Sequence, residues 1–150
     1  MVRQATVWDA QKIAELWGKL VDELGIEGRD GGIDEQERFY LNILVRIKKE
    51  DSCVVVIEDD ENEIVGFAST DYTYYKYGTD RLVGLCDNIY INKEYRNKNL
   101  MNPMIDWMIT YGKKVGMTEM QFETVYNPSL IKVWERKGFK PMQVKYYQEV

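Results

Sequence analysis

The chain has 150 residues, 45% hydrophobic and 30% charged, which is enough to bury a core without disulfides or metal and is unlike a disordered chain. Its formal charge of −5 argues against a sequence-independent grip on nucleic acid, and no apolar run approaches the ~20 residues of a membrane helix. There is no histidine, which excludes Ser-His and Cys-His nucleophilic catalysis and, with two well-separated cysteines, argues against a closed zinc site.

In chain order, residues 2–7 alternate weakly as a short strand, with no hydrophobic signal region ahead of them, so a cytoplasmic protein is expected. Asp9 is placed to cap a helix whose apolar residues Ile13, Ala14, Leu16, Trp17, Leu20, Val21 and Leu24 recur at helical spacing. Four glycines and several charges in residues 25–32 predict a mobile connection. Asp34 then caps a second helix with an apolar face of Phe39, Tyr40, Ile43, Leu44 and Ile47. Residues 52–58 and 64–75 read as a hairpin around an acidic turn at 59–63, and residues 82–91 as a further strand after the Gly78-Thr79-Asp80 break.

A helix over residues 100–115 accommodates Pro103 in its first turn and ends at Gly116. Residues 118–125 form another strand, Asn127-Pro128 opens a short helix reaching Lys137 and Gly138, and residues 144–150 offer a last strand. The order β-α-α-β-β-β-α-β-α-β, with no internal repeat, predicts one α/β domain: a mixed, mostly antiparallel sheet covered by helices on both faces. Cys53 and Cys86 sit in apolar runs, where a reduced thiol behaves as a small buried hydrophobe.

The passage from strand 82–91 through Asn92-Lys93-Glu94-Tyr95-Arg96-Asn97-Lys98-Asn99-Leu100-Met101 into a helix is the most specific feature. A strand, a polar turn and a helix N-terminus gather free backbone N–H groups and the positive end of a dipole at one point, an anion site to which Arg96 and Lys98 add charge. An exposed basic connection is the alternative. Asp87, in the strand before this turn, is the candidate general base, because partial burial in an apolar strand raises a carboxyl pKa. Local pairing is its alternative role.

Ile89-Tyr90-Ile91, the approach Glu94-Tyr95-Arg96 and the segment Asn-Pro-Ser-Leu-Ile-Lys-Val-Trp-Glu-Arg-Lys-Gly-Phe from Asn127 to Phe139 together resemble the GNAT acetyltransferase superfamily. The opening Val2-Arg3-Gln4-Ala5-Thr6, followed by Asp9 and Ile13, is similar to that family's first strand and helix. Arg96 matches the first position of the family's coenzyme A loop, Arg/Gln-x-x-Gly-x-Gly/Ala, while Asn99 and Met101 stand where it has glycines. Asparagine is the side chain that best tolerates left-handed backbone angles, whereas Met101 either packs inward or crowds a diphosphate.

The resemblance implies acetyl-coenzyme A as co-substrate, held by Ile89, Tyr90, Ile91, Arg96, Asn97, Lys98, Asn99, Leu100, Met101, Asn127 and Trp134. It also implies direct attack by an amine, from a small molecule or a protein, with backbone N–H groups near Tyr90 and Ile91 polarising the thioester carbonyl. Trp134 replaces the family's tyrosine and can donate a hydrogen bond but not a proton, so Tyr126 or Tyr90 is the candidate donor. Tyr72, Tyr74, Tyr75 and Tyr77 could line an acceptor pocket or a homodimer surface. The same departures would also fit a GNAT-fold binding protein without turnover, and the apolar content near Met101 and Met104 would fit a transferase of longer acyl groups.

Overall fold

The computed structural model describes residues 1–25, 31–74, 80–123 and 128–142, with residues 128–130 described in backbone only. Five strands lie side by side in chain order: β1 (Val2–Gln4), β2 (Ser52–Glu58), β3 (Ile64–Tyr74), β4 (Leu82–Ile91) and β5 (Met117–Phe122). The first three junctions are antiparallel and β4–β5 is parallel. Parallel neighbours need a crossover, here a 3-10 segment (Lys93–Lys98) and a helix. The helices are α1 (Ala10–Leu24), α2 (Ile33–Lys48), the crossover helix α3 (Met101–Lys114) and α4 (Pro128–Arg136). The strand expected at 144–150 lies outside the described residues.

β2 shows why the sheet is covered on both sides. Cys53, Val55 and Ile57 join Met104, Ile105 and Met108 of α3, while Val54 and Val56 join Ile13 and Leu16 of α1 and Ile43 of α2. A strand buried on both faces reads as a continuous apolar run, as β2 does. On the α1–α2 side Trp17 stacks on Phe39 at 4.5 Å, and Phe39 meets the edge of Phe67. Cys53 and Cys86 are free and buried, and burial pushes each thiol up to about 12.

Of the two expected caps, Asp9 holds the N-cap position without a capping bond and Asp34 lies inside its helix. α2 starts at Ile33 with Gly32 as its N-cap residue, so Asp34 lies in the first turn, where its charge complements the helix dipole without capping. Asp9 makes no cap bond to α1. Its carboxylate turns back to accept from the Thr6 N–H (2.7 Å) and hydroxyl (2.9 Å), and it pairs with Arg3 through two bonds of 2.8 and 2.9 Å. Strand β1 accordingly stops at Gln4, and a 3-10 turn (Val7–Asp9) follows.

Arg3 also reaches Glu58 at the end of β2, so this cluster ties the start of the chain to the sheet. Hydrogen bonds from Arg3, reinforced by Thr6, hold the Asp9 carboxyl at about 2, below its ordinary 3.8. A carboxyl with a lowered native pKa adds stability that is complete above about 4 and is lost as pH falls towards 2. Asp9→Asn should therefore lower stability at neutral pH by about 2 kcal/mol. It should also flatten the fall in Tm between pH 4 and 2, measured by thermal denaturation across that range.

Candidate functional site

Strand β4 has two neighbours for only part of its length. Its last registered pair with β5 is Cys86–Phe122, closed by the Glu123 N–H donating to the Cys86 carbonyl at 2.9 Å. From Asp87 to Ile91, among the described residues, it pairs with β3 alone. The Asn92 N–H donates to the Val65 carbonyl at 2.8 Å, which makes that pair and its alternates, Phe67–Tyr90 and Ser69–Asn88, the hydrogen-bonded ones. Ile89 and Ile91 therefore turn their backbone N–H and C=O away from β3, towards the open edge.

Where β5 departs, β4 also bulges. Thr70 faces Cys86 and Ser69 faces Asn88, leaving Asp87 as the extra residue. Both side chains of the bulge reach Ser69, whose hydroxyl donates to Asp87 Oδ1 (3.1 Å) and accepts from Asn88 Nδ2 (3.2 Å). Arg46, from the last turn of α2, closes the cluster with a fork of two 2.8 Å bonds to the Asp87 carboxylate. It also donates to Ser69 (2.7 Å) and Asp71 (2.6 Å), with its side chain only 13% exposed.

The raised pKa expected for Asp87 is reversed. Burial does push it up, but the hydrogen bonds and charge of Arg46, with the Ser69 hydroxyl, outweigh that and hold it below the ordinary range. Beside this cluster lies a cleft of about 320 Å³ whose lining includes Asn42, Arg46, Lys49, Asp51, Asp71 and Tyr72.

Beyond Ile91 the chain forms the 3-10 segment Lys93–Lys98, and Asn99 then takes the left-handed conformation, φ 54° and ψ 31°. Its side chain accepts from Asn102 Nδ2 at 2.5 Å. No side chain caps the N-terminus of α3, so its first N–H groups are left for another acceptor, except at Pro103, which has none. Leu100 and Met101 are half-buried and pack against the α3-side core, so Met101 takes the inward of its two expected placements.

The two cations do not join the backbone cradle in the way the sequence implied. Arg96 Nε donates to the Ile91 carbonyl (2.9 Å), its Nη2 pairs with Glu23 of α1 (2.5 Å), and its guanidinium lies 5.3 Å from the Tyr90 ring centre. Lys98 sits 4.8 Å from the ring centre of Tyr95. Asn97 is exposed at the end of the turn. The attraction of residues 97–102 for an anion thus rests on amides and dipole more than on side-chain charge.

Tyr90 is turned away from the open edge. Its backbone faces β3, its ring is buried among α1 and α2, and its hydroxyl donates to Glu23 Oε1 at 2.7 Å. Burial and then the Glu23 bond push the phenol up to about 12, so it is a poor proton donor. Trp134 is 7% exposed, stacked on Phe122 at 4.3 Å and edge-on to Phe139. Its indole N–H is buried without a hydrogen-bond partner among the described residues, beside the last described β5 residue that pairs with β4. Tyr126, Asn127, Tyr75 and Tyr77 lie outside the described residues, as do residues 26–30 of the glycine-rich connection.

An orphaned buried donor beside a strand edge and an uncapped helix N-terminus suit a long ligand with amide, thioester and phosphate acceptors. Acetyl-coenzyme A carries these groups along one chain, the thioester first, then the pantetheine amides, then the diphosphate, so the residues present fit it. Arg46 and Glu23 are the residues bonded to the candidate site that sequence reading missed. Arg46 left one signal, an arginine at the apolar phase of α2 between Ile43 and Ile47; Glu23 left none. Since a side chain at φ > 0 is strained, Asn99→Gly should preserve or raise stability, whereas Asn99→Val should cost about 1–2 kcal/mol in denaturant unfolding.

Residues 14–139 match the family model described as acetyltransferase (GNAT) family. No curated protein matches the chain in sequence. Among solved structures, the chain is similar to a tetramutant of the BH1408 protein from Bacillus halodurans, with TM-score 0.85, 15% identity, and coverage of 100% of this chain and 99% of that one. It is also similar to a possible acetyltransferase from Clostridium difficile 630, with TM-score 0.79, 16% identity and coverage of 100% and 96%. A third is glucosamine-6-phosphate N-acetyltransferase from Arabidopsis thaliana, with TM-score 0.72, 15% identity and coverage of 99% and 97%. At such identities these likenesses carry the fold alone. The family match spans most of the chain, and with the mixed sheet, the half-paired β4 and the uncapped α3 it places this protein in the GNAT acetyltransferase family.

Proposed function

We propose that this chain transfers an acetyl group from acetyl-coenzyme A directly to an amine. The observation that carries the reading is the conjunction, at the end of β4, of a strand edge unpaired among the described residues and an uncapped helix start hinged at Asn99. Residues 97–102 would hold the diphosphate with their amides, and the outward backbone groups of Ile89 with the N–H of Ile91 would hold the pantetheine arm and the thioester carbonyl. Asn127 would serve the same arm. Acetyl-coenzyme A supplies the activated acetyl group.

As the amine nitrogen bonds to the carbonyl carbon, the C–S bond breaks and coenzyme A leaves as a thiolate. A thiol of reference pKa about 8.5 needs little acid help, so a hydrogen bond from Trp134 to the departing sulfur would suffice, with Tyr126 as a second donor. Asp87, ionised at neutral pH, is an effective acceptor for the N–H of an incoming amine but too acidic to keep its proton. In this reading it orients the amine and passes the proton to solvent. The cleft beside Arg46 and Asp71 is the proposed acceptor entrance; its lining sets Arg46 and Lys49 against Asp51 and Asp71, and the net charge of −5 favours a cationic acceptor, small molecule or protein.

Coenzyme A at a hundred times its Kd should stabilise the protein by about 2.7 kcal/mol, read as a rise in Tm. No rise at millimolar coenzyme A overturns the reading, and binding without thiol release across a broad amine panel leaves a GNAT-fold binding protein. Asp87→Asn should lower kcat/KM for the amine by about tenfold or more while leaving coenzyme A affinity within about twofold. An unchanged rate removes Asp87 from the reaction.

A further inference from the structure

Arg96 opens the loop proposed to hold the diphosphate, yet its guanidinium is held by groups on three sides. The Ile91 carbonyl takes Nε, Glu23 takes Nη2, and the face lies over the Tyr90 ring. Glu23 uses its other oxygen for the hydroxyl of Tyr90, a residue 3% exposed and fixed in β4 by its pairing with Phe67. One carboxylate therefore joins the last turn of α1 to a buried phenol in β4 and to the first cation of the loop. Burial alone would raise the Glu23 carboxyl, but the bonds from Tyr90 and Arg96 reverse that and keep it ionised.

We propose that Glu23 is a positioning residue for the coenzyme loop: by clasping Arg96 and Tyr90 together it fixes where residues 97–102 begin, and so where their amides point. This rests on the coenzyme A reading above. A lone exposed ion pair is worth little, because two flexible side chains must be held in one geometry. Here the geometry is set in advance by the buried phenol and the strand-end carbonyl, so the carboxylate orders only the guanidinium. Glu23 also neutralises that guanidinium, so the loop's grip on an anion depends on the aim of its amides. Loss of the clasp is felt by a ligand carrying the diphosphate and not by one lacking it.

The test measures coenzyme A affinity by titration calorimetry. It also compares kcat/KM for acetyl-coenzyme A with that for S-acetyl-N-acetylcysteamine, a thioester without the diphosphate. Glu23→Gln should weaken coenzyme A by about tenfold and raise KM for acetyl-coenzyme A without changing kcat at saturation. The short thioester should react as with the unaltered chain. In a double-mutant cycle with Arg96→Met, the pair should weaken binding no more than either change alone.

Glu23→Asp, which keeps the charge on a shorter stem, should fall between the two and serves if Glu23→Gln folds poorly. Equal loss with both thioesters, or additive effects in the cycle, reduces the clasp to general stability and overturns the proposal. Unaltered protein that binds coenzyme A, with Glu23→Gln binding it equally well, overturns the clasp alone. Failure of the unaltered protein to bind overturns the clasp together with the coenzyme A reading.

Discussion

Among the described residues, strand β4 keeps β3 beside it for its full length but holds β5 only to Cys86, and the candidate site is built in the difference. Backbone N–H and C=O groups in a protein interior need partners, and a strand that gives up a neighbour exposes a row of them. Here that row starts at the bulge of Asp87 and ends where the chain turns into α3, whose own first amides are uncapped. Two sets of backbone donors that face no described strand or capping side chain thus lie at successive points along one stretch of chain. A long ligand rich in acceptors can satisfy both at once.

The α1–α2 side of the sheet supplies the opposite kind of order. Each of its two key arginines is bound to carboxylates: Arg46 to Asp87 and Asp71, and Arg96 to Glu23. Both attach a helix to β4, Arg46 from α2 to the bulge and Glu23 from α1 to the strand end. The helices behind the sheet are therefore coupled to the edge that would carry the reaction. This arrangement also explains why the net acidity of the chain coexists with a basic run at 93–98, since part of that positive charge is matched internally.

Much of the fold was legible because it follows from periodicity. Apolar spacing located α1, α2 and α3, and the runs at 52–58 and 82–91 became β2 and β4 with those bounds. Met101 and Asn99 could be weighed from side-chain shape alone, and they adopt the inward packing and the left-handed angle that their chemistry permits. The helix starts were less legible. Asp9 and Asp34 have the right type for caps, but Asp9 is claimed by Arg3, and Gly32 enters the second helix one residue ahead of Ile33.

By itself, the sequence determined where the three longer helices and strands β2 and β4 lie, that helices cover both faces of the sheet, and that a turn rich in polar groups leads from β4 into a helix. All of these are set by neighbours within a few residues in the chain. The direction of the Asp87 pKa, the fate of the Arg96 charge and the removal of Tyr90 from the open edge were decided only by tertiary structure. The partners responsible, Arg46 and Glu23, lie 41 residues from Asp87, and 73 and 67 residues from Arg96 and Tyr90 respectively. No local pattern specifies such a pairing. It arises when packing brings α1 and α2 against the strand, so that a carboxylate and a guanidinium from distant parts of the chain meet at its partly exposed edge.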